Sequence, residues 1–426
     1  MKIHIIGIGG MGISALAKLY VNEGHDVVGT NDQPSEHSLA SLEDSGVKIN
    51  YNLKDFTIDD DTDLIVYSNA WPKNYPDIIK AADQSGVKVL SYPQALGEVT
   101  RRYQTIAIAG THGKTTTTAM LLHILTEVGL SPTGIVGSNL VATKTNFVAG
   151  DSNLLVIEAD EYMKAFLNHL PAIVGITNID HDHHDIYPTI EEMKQTFKQL
   201  GESLPEIGTL VISALDQNSW DTFEDLTRTV IDYSSLDLSE ATLPVIGAFN
   251  VRNAQLAITI ATLLGVSEAD AIAALQTFKG TWRRQELKGK NDSGAQVYDD
   301  YAHHPTEIQA SIQAFKNHFV DKKITVIFQP HLYSRTRELF DEFVEVFINN
   351  QVHQLIILPV YAAREIPDAS VSSEILTSRI RNTYEGEVEY VSDFDAAIEK
   401  ISSQSEVVIT MGAGDVTEIS DMVIAK

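Results

Sequence analysis

Cysteine is absent from the 426-residue sequence. Its absence excludes disulfide bonds, thiolate metal ligands and cysteine nucleophiles together. Long apolar runs are also missing, since none approaches the roughly 20 residues that a membrane-spanning helix needs. The apolar run at 3–8 is short, is interrupted by glycine and has no cleavage pattern after it, which does not fit a signal peptide. We therefore expect a cytoplasmic protein that has no membrane partner.

Positive charge is scarce as well. Lysine and arginine together number 31 against 58 acidic residues, and the formal net charge is −27. Nucleic-acid binding requires basic surfaces that displace counterions, so nucleic acid is not an expected partner. Any anionic ligand must be bound by local cationic side chains, glycine loops or metal ions. The simplest interpretation of the acidic excess is a charged surface that favours solubility.

The length of the chain predicts about two to four domains. Apolar runs alternate with stretches of helical periodicity along the whole sequence. This alternation is typical of an α/β fold in which parallel sheets are flanked by helices. The pattern divides the chain into three parts, at 1–100, 101–285 and 286–426.

The most informative stretch is 109–116, which reads Ala-Gly-Thr-His-Gly-Lys-Thr-Thr and follows an apolar, strand-like run at 105–109. A strand, a glycine loop, Lys-Thr and then a helix are typical of nucleoside triphosphate binding. Lys114 would reach the outer phosphates, and the Thr115 hydroxyl would bind a magnesium ion. The match is incomplete because Ile108 stands where a full P-loop has glycine, so an ordinary strand-to-helix turn is the alternative.

A second glycine loop lies at the start of the chain. Residues 7–12 fit the spacing G-x-G-x-x-G, and Asp32 lies 20 residues beyond Gly12. Taken alone, this pattern is the dinucleotide fingerprint and favours an NAD-binding dehydrogenase. The same geometry would serve a UDP-sugar, because it requires only a diphosphate beside a sugar. The second phosphate loop makes a nucleotide sugar the preferred interpretation, and a plain turn residue remains the alternative for Asp32.

Two acidic segments follow predicted strands of the middle part. The first is Glu-Ala-Asp-Glu at 158–161, and carboxylates at that end of a strand beside a phosphate loop are placed to hold magnesium. The second, at 180–185, contains three histidines and three aspartates. Without thiolates it suits a second magnesium or manganese ion better than zinc. Solvated surface turns are the alternatives, except at His183, where we expect a ligand.

Further polar clusters follow strands of the third part, at 299–306 and 329–337. Binding and catalytic residues gather where strands of an open α/β sheet end, so both clusters favour a site over packing. Arg283 and Arg284 suit a phosphate contact between domains, although an exposed pair is the commoner case. Asn250 is interpreted as a helix N-cap.

Together, these motifs resemble those of the Mur ligases, the ATP-dependent amide ligases that build the peptidoglycan stem peptide. In chain order the motifs are Gly-Thr-His-Gly-Lys-Thr-Thr, Glu-Ala-Asp-Glu, Thr-Asn-Ile-Asp, Asp-Asp-Tyr-Ala-His-His-Pro-Thr-Glu and Phe-Gln-Pro-His. They cover nearly the whole chain. His112 and the last two motifs are most similar to the member that adds L-alanine to UDP-N-acetylmuramate. The closest alternative is the recycling ligase that adds an intact L-Ala-γ-D-Glu-diaminopimelate tripeptide to the same sugar nucleotide.

The resemblance implies three α/β domains. These are an N-terminal Rossmann-like domain for UDP-N-acetylmuramate, a central P-loop ATPase-like domain, and a C-terminal Rossmann-like domain that binds the amino acid and closes over ATP. It also implies ATP, two magnesium ions (with manganese as a possible substitute) and a monomer or weak homodimer. The activity would serve cytoplasmic peptidoglycan precursor synthesis, and through it cell-wall biogenesis, cell shape and division.

The resemblance further implies a set of site residues. The UDP-sugar would be bound by Gly9, Gly10, Gly12, Asp32 and Asn69. ATP would be bound by Gly110, Thr111, His112, Gly113, Lys114, Thr115, Thr116, Asn250, Arg284 and Asp300. The amino acid would contact Tyr301, His303, His331 and Arg335. The metal ligands would be Thr115, Glu158 and His183, and the catalytic residues Lys114, Glu158, His183 and Arg335.

The chain departs from the family pattern at three places. Phe249 replaces a histidine before Asn250, Leu332 replaces a basic or polar residue after His331, and Tyr162 begins a stretch unlike the usual Ser-Asp. None of these positions belongs to the predicted phosphate and metal site. A non-catalytic nucleotide-binding regulator would be expected to have lost lysine or metal ligands there, and all are present.

Overall fold

The computed structural model describes residues 1–34, 39–183, 186–239, 241, 243–363 and 365–425. Within these residues the strands form three sheets. The chain divides into two compact units, of which the first comprises Met1–Pro244 and Val251–Thr281. The second comprises Val245–Asn250 and Trp282–Lys426. The domain boundaries expected after residues 100 and 285 stay predictions.

The first sheet contains five parallel strands in the order β3-β2-β1-β4-β5. Its strands are β1 (Lys2–Ile6), β2 (Asp26–Thr30), β3 (Lys48–Asn50), β4 (Leu64–Tyr67) and β5 (Lys88–Ser91). The connecting helices are α1 (Met11–Asn22), α2 (Ala40–Asp44), α3 (Trp71–Asn74), α4 (Pro76–Gln84) and α5 (Tyr92–Thr100). The strand order reverses between β1 and β4, and ligands bind such sheets outside the carboxyl ends of the strands at the reversal.

The second sheet has seven strands in the order β12-β11-β10-β6-β9-β7-β8, all parallel to their neighbours except β8. The strands are β6 (Gln104–Ala109), β7 (Thr133–Ile135), β8 (Phe147–Val148), β9 (Leu154–Glu158), β10 (Ile173–Ile176), β11 (Thr209–Ile212) and β12 (Thr229–Asp232). The helices are α6 (Lys114–Glu127), α7 (Ile190–Glu202), α8 (Gln217–Phe223), α9 (Ala248–Leu263) and α10 (Glu268–Leu275). Five consecutive residues of β6, from Thr105 to Ala109, are buried, as expected for a parallel strand covered by helices on both faces.

The third sheet has the order β13-β14-β18-β15-β16-β17, with β13 antiparallel at one edge. Its strands are β13 (Glu286–Lys290), β14 (Gln296–Asp300), β15 (Ile324–Phe328), β16 (Gln354–Ile357), β17 (Glu387–Tyr390) and β18 (Val407–Met411). The helices are α11 (Pro305–His318), α12 (Tyr333–Glu338), α13 (Phe340–Asn349), α14 (Ser373–Arg381), α15 (Phe394–Lys400) and α16 (Thr417–Ile424). The predicted α/β class with mainly parallel sheets is confirmed.

The described helices include none that is both long enough and apolar enough to cross a bilayer.

One local prediction, the N-cap at Asn250, is wrong. Helix α9 begins at Ala248, directly after Gly247 in the left-handed conformation (φ +91°). Gly247 turns the chain into the helix two residues earlier than the polar side chain suggested. The Asn250 side chain instead donates back to the Ile246 carbonyl at 3.0 Å and to Gln285 Oε1 at 3.0 Å.

A buried ion pair joins the start of the second unit to its sheet. The Arg283 guanidinium donates to Asp299 Oδ2 at 3.0 Å, to the Gly414 carbonyl at 2.8 Å and to the Gly412 carbonyl. The side chains of Arg283 and Asp299 are 4% and 0% exposed. Of the two consecutive arginines, Arg283 is therefore a structural residue, because each of its three side-chain nitrogen atoms donates to the protein interior.

We predict that Asp299→Leu destabilises the second unit by about 3–5 kcal/mol, because it leaves the Arg283 charge buried without its partner. Urea-induced unfolding would measure the loss. The matched control is Asp421→Leu in the same unit, which removes an exposed carboxylate 2.9 Å from Lys288 and should cost less than about 1 kcal/mol. Equal losses for the two variants would contradict the prediction.

Candidate active site

The glycine loop between β6 and α6 has the backbone of a phosphate site. Gly110 and Gly113 both adopt positive φ, at +126° and +85°, which favours glycine. A Cβ atom at Gly110 would lie 2.0 Å from Thr177 Oγ1, so the position has no room for a side chain. The loop leads directly into the first turn of α6, whose free N–H groups and positive dipole end suit an anion.

Lys114 lies across this loop. Its Nζ atom donates to the carbonyls of Gly110 at 2.7 Å and Thr111 at 3.1 Å. It also lies 2.8 Å from each carboxylate oxygen of Glu161, whose side chain is 1% exposed. Burial alone would lower the pKa of Lys114, but the negative charge of Glu161 and its acidic neighbours outweighs burial and raises it. Lys114 is therefore a cation that Glu161 and two loop carbonyls hold at the glycine loop.

Thr115 and Glu158 are in direct contact, as expected for neighbouring metal ligands. Thr115 Oγ1 donates to Glu158 Oε1 at 3.0 Å, and the backbone N–H of Gly137 donates to Glu158 Oε2 at 2.8 Å. Burial raises the pKa of Glu158 against the effect of the Lys114 charge. A buried carboxylate of this kind is stabilised in its ionised form by a nearby cation.

His183 lies on the loop after β10 and contacts Glu161, with Nε2 3.5 Å from Oε1. Its ring also packs against Tyr162, with 5.0 Å between the ring centroids. Burial alone would lower the pKa of His183, but the hydrogen bond to Glu161 and the charge of Asp182 raise it. Glu161, which links Lys114 to His183, was missed as a site residue by sequence reasoning, although it stands in the acidic run at 158–161.

The remaining residues of the predicted phosphate loop are fixed by the loop after β10. The Thr111 hydroxyl donates to the Asp180 carbonyl at 3.0 Å and accepts from its N–H at 2.9 Å. The His112 N–H donates to Asn178 Oδ1 at 3.0 Å, and its ring lies 3.8 Å from the Asp180 carboxylate. Thr116 is half-buried in the first turn of α6. Residues 184 and 185 of the histidine-aspartate run lie outside the described residues.

These residues fit a magnesium ion by their chemistry. The hydroxyl of Thr115 and the carboxylate of Glu158 are hard oxygen ligands, and magnesium commonly uses one or two such groups together with phosphate and water. Among the described residues, no three acidic or histidine side chains converge on one point as a complete protein cage. The arrangement therefore suits an ion shared with a triphosphate, and His183 lies beside Glu161 at the same edge of the sheet.

The predicted UDP-sugar residues lie at the carboxyl ends of β1, β2 and β4. The Gly9 N–H donates to Asn31 Oδ1 at 3.1 Å, and Asp32 Oδ2 accepts from the Tyr75 hydroxyl at 3.0 Å. Gly10 is the N-cap of α1, Gly12 lies in its first turn, and Asn69 is half-buried just after β4. Gly9, Gly10, Gly12 and Asn69 thus lie at the reversal of strand order between β1 and β4, and Asp32 follows the neighbouring strand β2.

In the second unit, the loops after β14 and β15 bring the predicted amino-acid residues together. The ring centroids of His303 and His331 lie 5.9 Å apart, and those of Tyr301 and His303 lie 5.2 Å apart. Arg335 Nη1 lies 3.3 Å from His331 Nδ1, and the Arg284 guanidinium lies 5.0 Å from the centre of the Tyr301 ring. The two loops follow β14 and β15, which lie on either side of β18 in the sheet. The strand order therefore explains why the two loops are close together.

Both histidines are neutral bases at pH 7. Burial, together with the positive charge of Arg335, lowers the pKa of His331 to about 4. Burial also lowers the pKa of His303 despite the nearby Glu307. Sequence reasoning missed Tyr361, whose ring stacks on His331 with 5.6 Å between centroids and 18° between planes. Tyr361 follows β16 but is separated from polar motifs in the sequence, so nothing local identified it.

Asp300, a predicted nucleoside contact, is buried at the end of β14. Its carboxylate accepts from the Ser311 hydroxyl at 2.5 Å and from the Ala302 N–H at 3.1 Å. Burial raises the pKa of Asp300 to about 6 against these hydrogen bonds.

We predict that Glu161→Gln lowers the pKa of His183, because the hydrogen bond and charge of Glu161 are lost while burial remains. Histidine ring signals followed by NMR as a function of pH would measure the shift, with His183→Gln identifying the signal. Glu307→Gln, which removes the carboxylate 3.3 Å from His303, is the matched control and should leave His183 unchanged. A His183 titration unaltered by Glu161→Gln would be evidence against the contact.

The raised pKa of Asp300 predicts that the stability of the protein depends on pH. Its pKa rises from 3.8 to about 6 on folding, so the folded state binds the additional proton and stability falls as pH rises through this window. Relative to Asp300→Asn, the wild-type protein should lose about 2 kcal/mol between pH 4 and pH 6. Urea unfolding at a series of pH values would measure the difference. Asp395→Asn at an exposed helix position is the control, and parallel profiles for wild type and Asp300→Asn would refute the prediction.

Three family models match successive parts of the chain. "Mur ligase family, catalytic domain" matches residues 2–104, "Mur ligase middle domain" matches 108–239, and "Mur ligase, glutamate ligase domain" matches 283–414. These matches cover the three sheets described above.

Curated proteins and solved structures give the same family over the full length. The UDP-N-acetylmuramate–L-alanine ligase of Clostridium kluyveri is 36% identical, covering 99% of this chain and 97% of its own. The enzyme of the same name from a Sulfurihydrogenibium species is also 36% identical, covering 99% and 96%. The crystal structure of the Thermotoga maritima UDP-N-acetylmuramate-alanine ligase MurC superposes with a TM-score of 0.82 at 25% identity, covering 100% of this chain and 98% of its own.

A murein peptide ligase from Psychrobacter arcticus superposes less closely, with a TM-score of 0.68 at 25% identity, and covers 100% of this chain and 98% of its own. The domain matches and the full-length identity to named ligases lead to one conclusion: this chain belongs to the Mur ligase family.

Proposed function

We propose that the protein is an ADP-forming ligase that joins L-alanine to the lactyl carboxylate of UDP-N-acetylmuramate with ATP as the energy source. The observation that carries the proposal is the half-buried cluster on the loops after β6, β9 and β10. There a charged lysine, a hydroxyl–carboxylate pair and a histidine adjoin a glycine loop. The substrates are inferred from the names of the relatives that are 36% identical over the whole chain.

In the first step, the lactyl carboxylate attacks the γ-phosphorus of ATP, the bond to the β-phosphate breaks, and ADP and an acyl phosphate form. Like charges oppose this approach, so the site must neutralise them. Lys114 supplies one fixed positive charge, and the N–H groups at the start of α6 supply partial ones. Magnesium held by Thr115, Glu158 and His183 would add positive charge on the phosphate oxygens.

In the second step, the α-amine of L-alanine attacks the acyl carbon, and inorganic phosphate leaves from the tetrahedral intermediate. The amine must attack in its neutral form and release a proton afterwards. His303 and His331 are neutral and adjacent, so either can accept that proton. Arg335, 3.3 Å from His331, would hold the carboxylate of the amino acid.

The recycling ligase for an intact tripeptide is the second candidate, because a murein peptide ligase has the same fold. The Thermotoga MurC structure is the closer of the two in TM-score, 0.82 against 0.68, which favours the alanine ligase. An NAD-binding dehydrogenase leaves the Lys114 loop unexplained. A non-catalytic regulator leaves unexplained why Lys114, Glu158 and His183 are all present.

Several parts of the proposal rest on the family resemblance. These are two magnesium ions rather than one, the individual residue roles, a cytoplasmic location and a monomer or weak homodimer. The contacts of Thr115 with Glu158 and of His183 with Glu161 support two adjacent cation sites at one edge of the sheet.

We predict that phosphate is released from ATP, magnesium and UDP-N-acetylmuramate when L-alanine is supplied. Parallel reactions would contain glycine, L-serine or the tripeptide L-alanyl-γ-D-glutamyl-diaminopimelate. Lys114→Ala should abolish release, because the charge that offsets the phosphates is lost. Lys88→Ala, which removes an exposed lysine paired with Glu98 at 2.6 Å, should retain it.

The other outcomes identify the alternatives. Release with the tripeptide alone would support the recycling ligase instead. A protein that binds both nucleotides and releases no phosphate with any acceptor would support a non-catalytic regulator. Thermal protection by NAD without protection by UDP-sugars would support the dehydrogenase.

A further inference from the structure

A buried asparagine holds the start of helix α1 against the edge of the second sheet, within the first unit. Asn146 lies directly before β8 and is 0% exposed. Its Nδ2 atom donates to the Met11 carbonyl at 2.6 Å and to the Ser14 hydroxyl at 3.1 Å. Its Oδ1 atom accepts from Lys18 Nζ at 2.8 Å. The Asn146 side chain is thus hydrogen-bonded to three residues of α1.

Lys18 sets the orientation of this amide. Its Nζ atom donates to Asn146 Oδ1 and, at 3.2 Å, to the Thr145 hydroxyl. An ammonium group can only donate, so the oxygen of the amide must face Lys18 and its NH₂ group must face Met11. Lys18 is 8% exposed, and burial lowers its pKa to about 8. The lysine therefore acts here as a buried donor that fixes the amide.

The Met11 carbonyl matters because it shares a peptide unit with the N–H of Gly12. The peptide unit is planar and trans, so its C=O and N–H groups point in opposite directions and fixing one fixes the other. The Gly12 N–H belongs to the first turn of α1, whose N–H groups have no acceptor within the helix. Ser14 Oγ also donates to the Met11 carbonyl, at 2.9 Å.

The same turn also packs against α5. A Cβ atom at Gly12 would lie 2.6 Å from the Tyr92 hydroxyl oxygen, so the turn and α5 are in close contact. The first turn of α1 therefore contacts both Tyr92 and Asn146. Its N–H groups face the carboxyl ends of β1 and β4, where the fold places a ligand.

We infer that Asn146, oriented by Lys18, is a positioning residue for the sugar-nucleotide site. It fixes the Met11–Gly12 peptide plane so that the Gly12 N–H points at the diphosphate. The ligand class is a nucleoside diphosphate sugar, and this inference rests on the proposed function. It assigns part of the affinity for the sugar nucleotide to a residue of the second sheet that does not touch the ligand.

The test is the double variant Asn146→Leu/Lys18→Met, measured by calorimetric titration with UDP-N-acetylmuramate and, separately, with a non-hydrolysable ATP analogue. Replacing both partners by apolar side chains of similar size leaves no unpaired buried amine, so the fold should be retained. The Kd for the sugar nucleotide should rise about tenfold, the effect of one lost buried hydrogen bond. The Kd for the ATP analogue should not change, because Lys114 and its loop are untouched.

Two further variants separate positioning from a general loss of structure. Ser14→Ala removes the second side-chain donor to the Met11 carbonyl and should weaken sugar-nucleotide binding in the same direction, by a smaller factor. Asn350→Leu is the matched control, since it removes a buried asparagine that donates to the Val346 carbonyl at 2.8 Å in the second unit. It should leave the Kd for the sugar nucleotide unchanged.

The outcomes distinguish this inference from the proposed function. An unchanged sugar-nucleotide Kd in the double variant, with tight binding by the wild type, would overturn the inference alone. An equal weakening of both ligands would also overturn it, because a purely structural role predicts that result. A wild-type protein that binds ATP and no UDP-sugar would overturn the proposed function and the inference together.

Discussion

The buried ion pair between Lys114 and Glu161 is the interaction on which the phosphate site depends. A lysine that is only 14% exposed would lose its charge to desolvation unless a carboxylate compensated it. Glu161 provides that compensation at 2.8 Å and also contacts His183. The pair therefore keeps a cation at the glycine loop and, through the same carboxylate, joins the loop after β6 to the loop after β10.

The three sheets place their polar residues by one geometric rule. In each sheet, the chemistry-bearing loops follow strands that are neighbours in space although distant in sequence. The loop after β6 meets those after β9 and β10, and the loops after β14 and β15 flank β18. Because the strands are parallel, their carboxyl ends lie at one edge, and residues more than 40 positions apart in the chain come into contact.

Much of this arrangement could be predicted from the sequence. The glycine loops, the strand ends and the resemblance pointed to Lys114, Glu158 and His183, which the structure places near the carboxyl ends of three adjacent strands, β6, β9 and β10. The pairing of Lys114 with Glu161 could not be predicted, because the two residues are 47 positions apart and Glu161 leads into a turn in which Met163 and Lys164 adopt positive φ, a conformation that neither residue type signals. The Asn250 cap was wrong for a different reason, since the signal at Gly247, which has positive φ, was overlooked in favour of a polar side chain.

Lys114 and Lys18 are both largely removed from solvent, but their partners differ, and this difference suits Lys114 to binding phosphate and Lys18 to orienting a neighbouring side chain. Lys114 is surrounded by carboxylates that raise its pKa, so it carries a charge that phosphate oxygens can share. Lys18 donates to a neutral amide and a hydroxyl, and burial lowers its pKa to about 8. Lys18 contributes by orienting the Asn146 amide, because it determines which end of that amide faces Met11. In a chain with a formal charge of −27, the orientation of these two ammonium groups is thus set by their hydrogen-bond partners, two loop carbonyls and a carboxylate for Lys114 and an amide and a hydroxyl for Lys18.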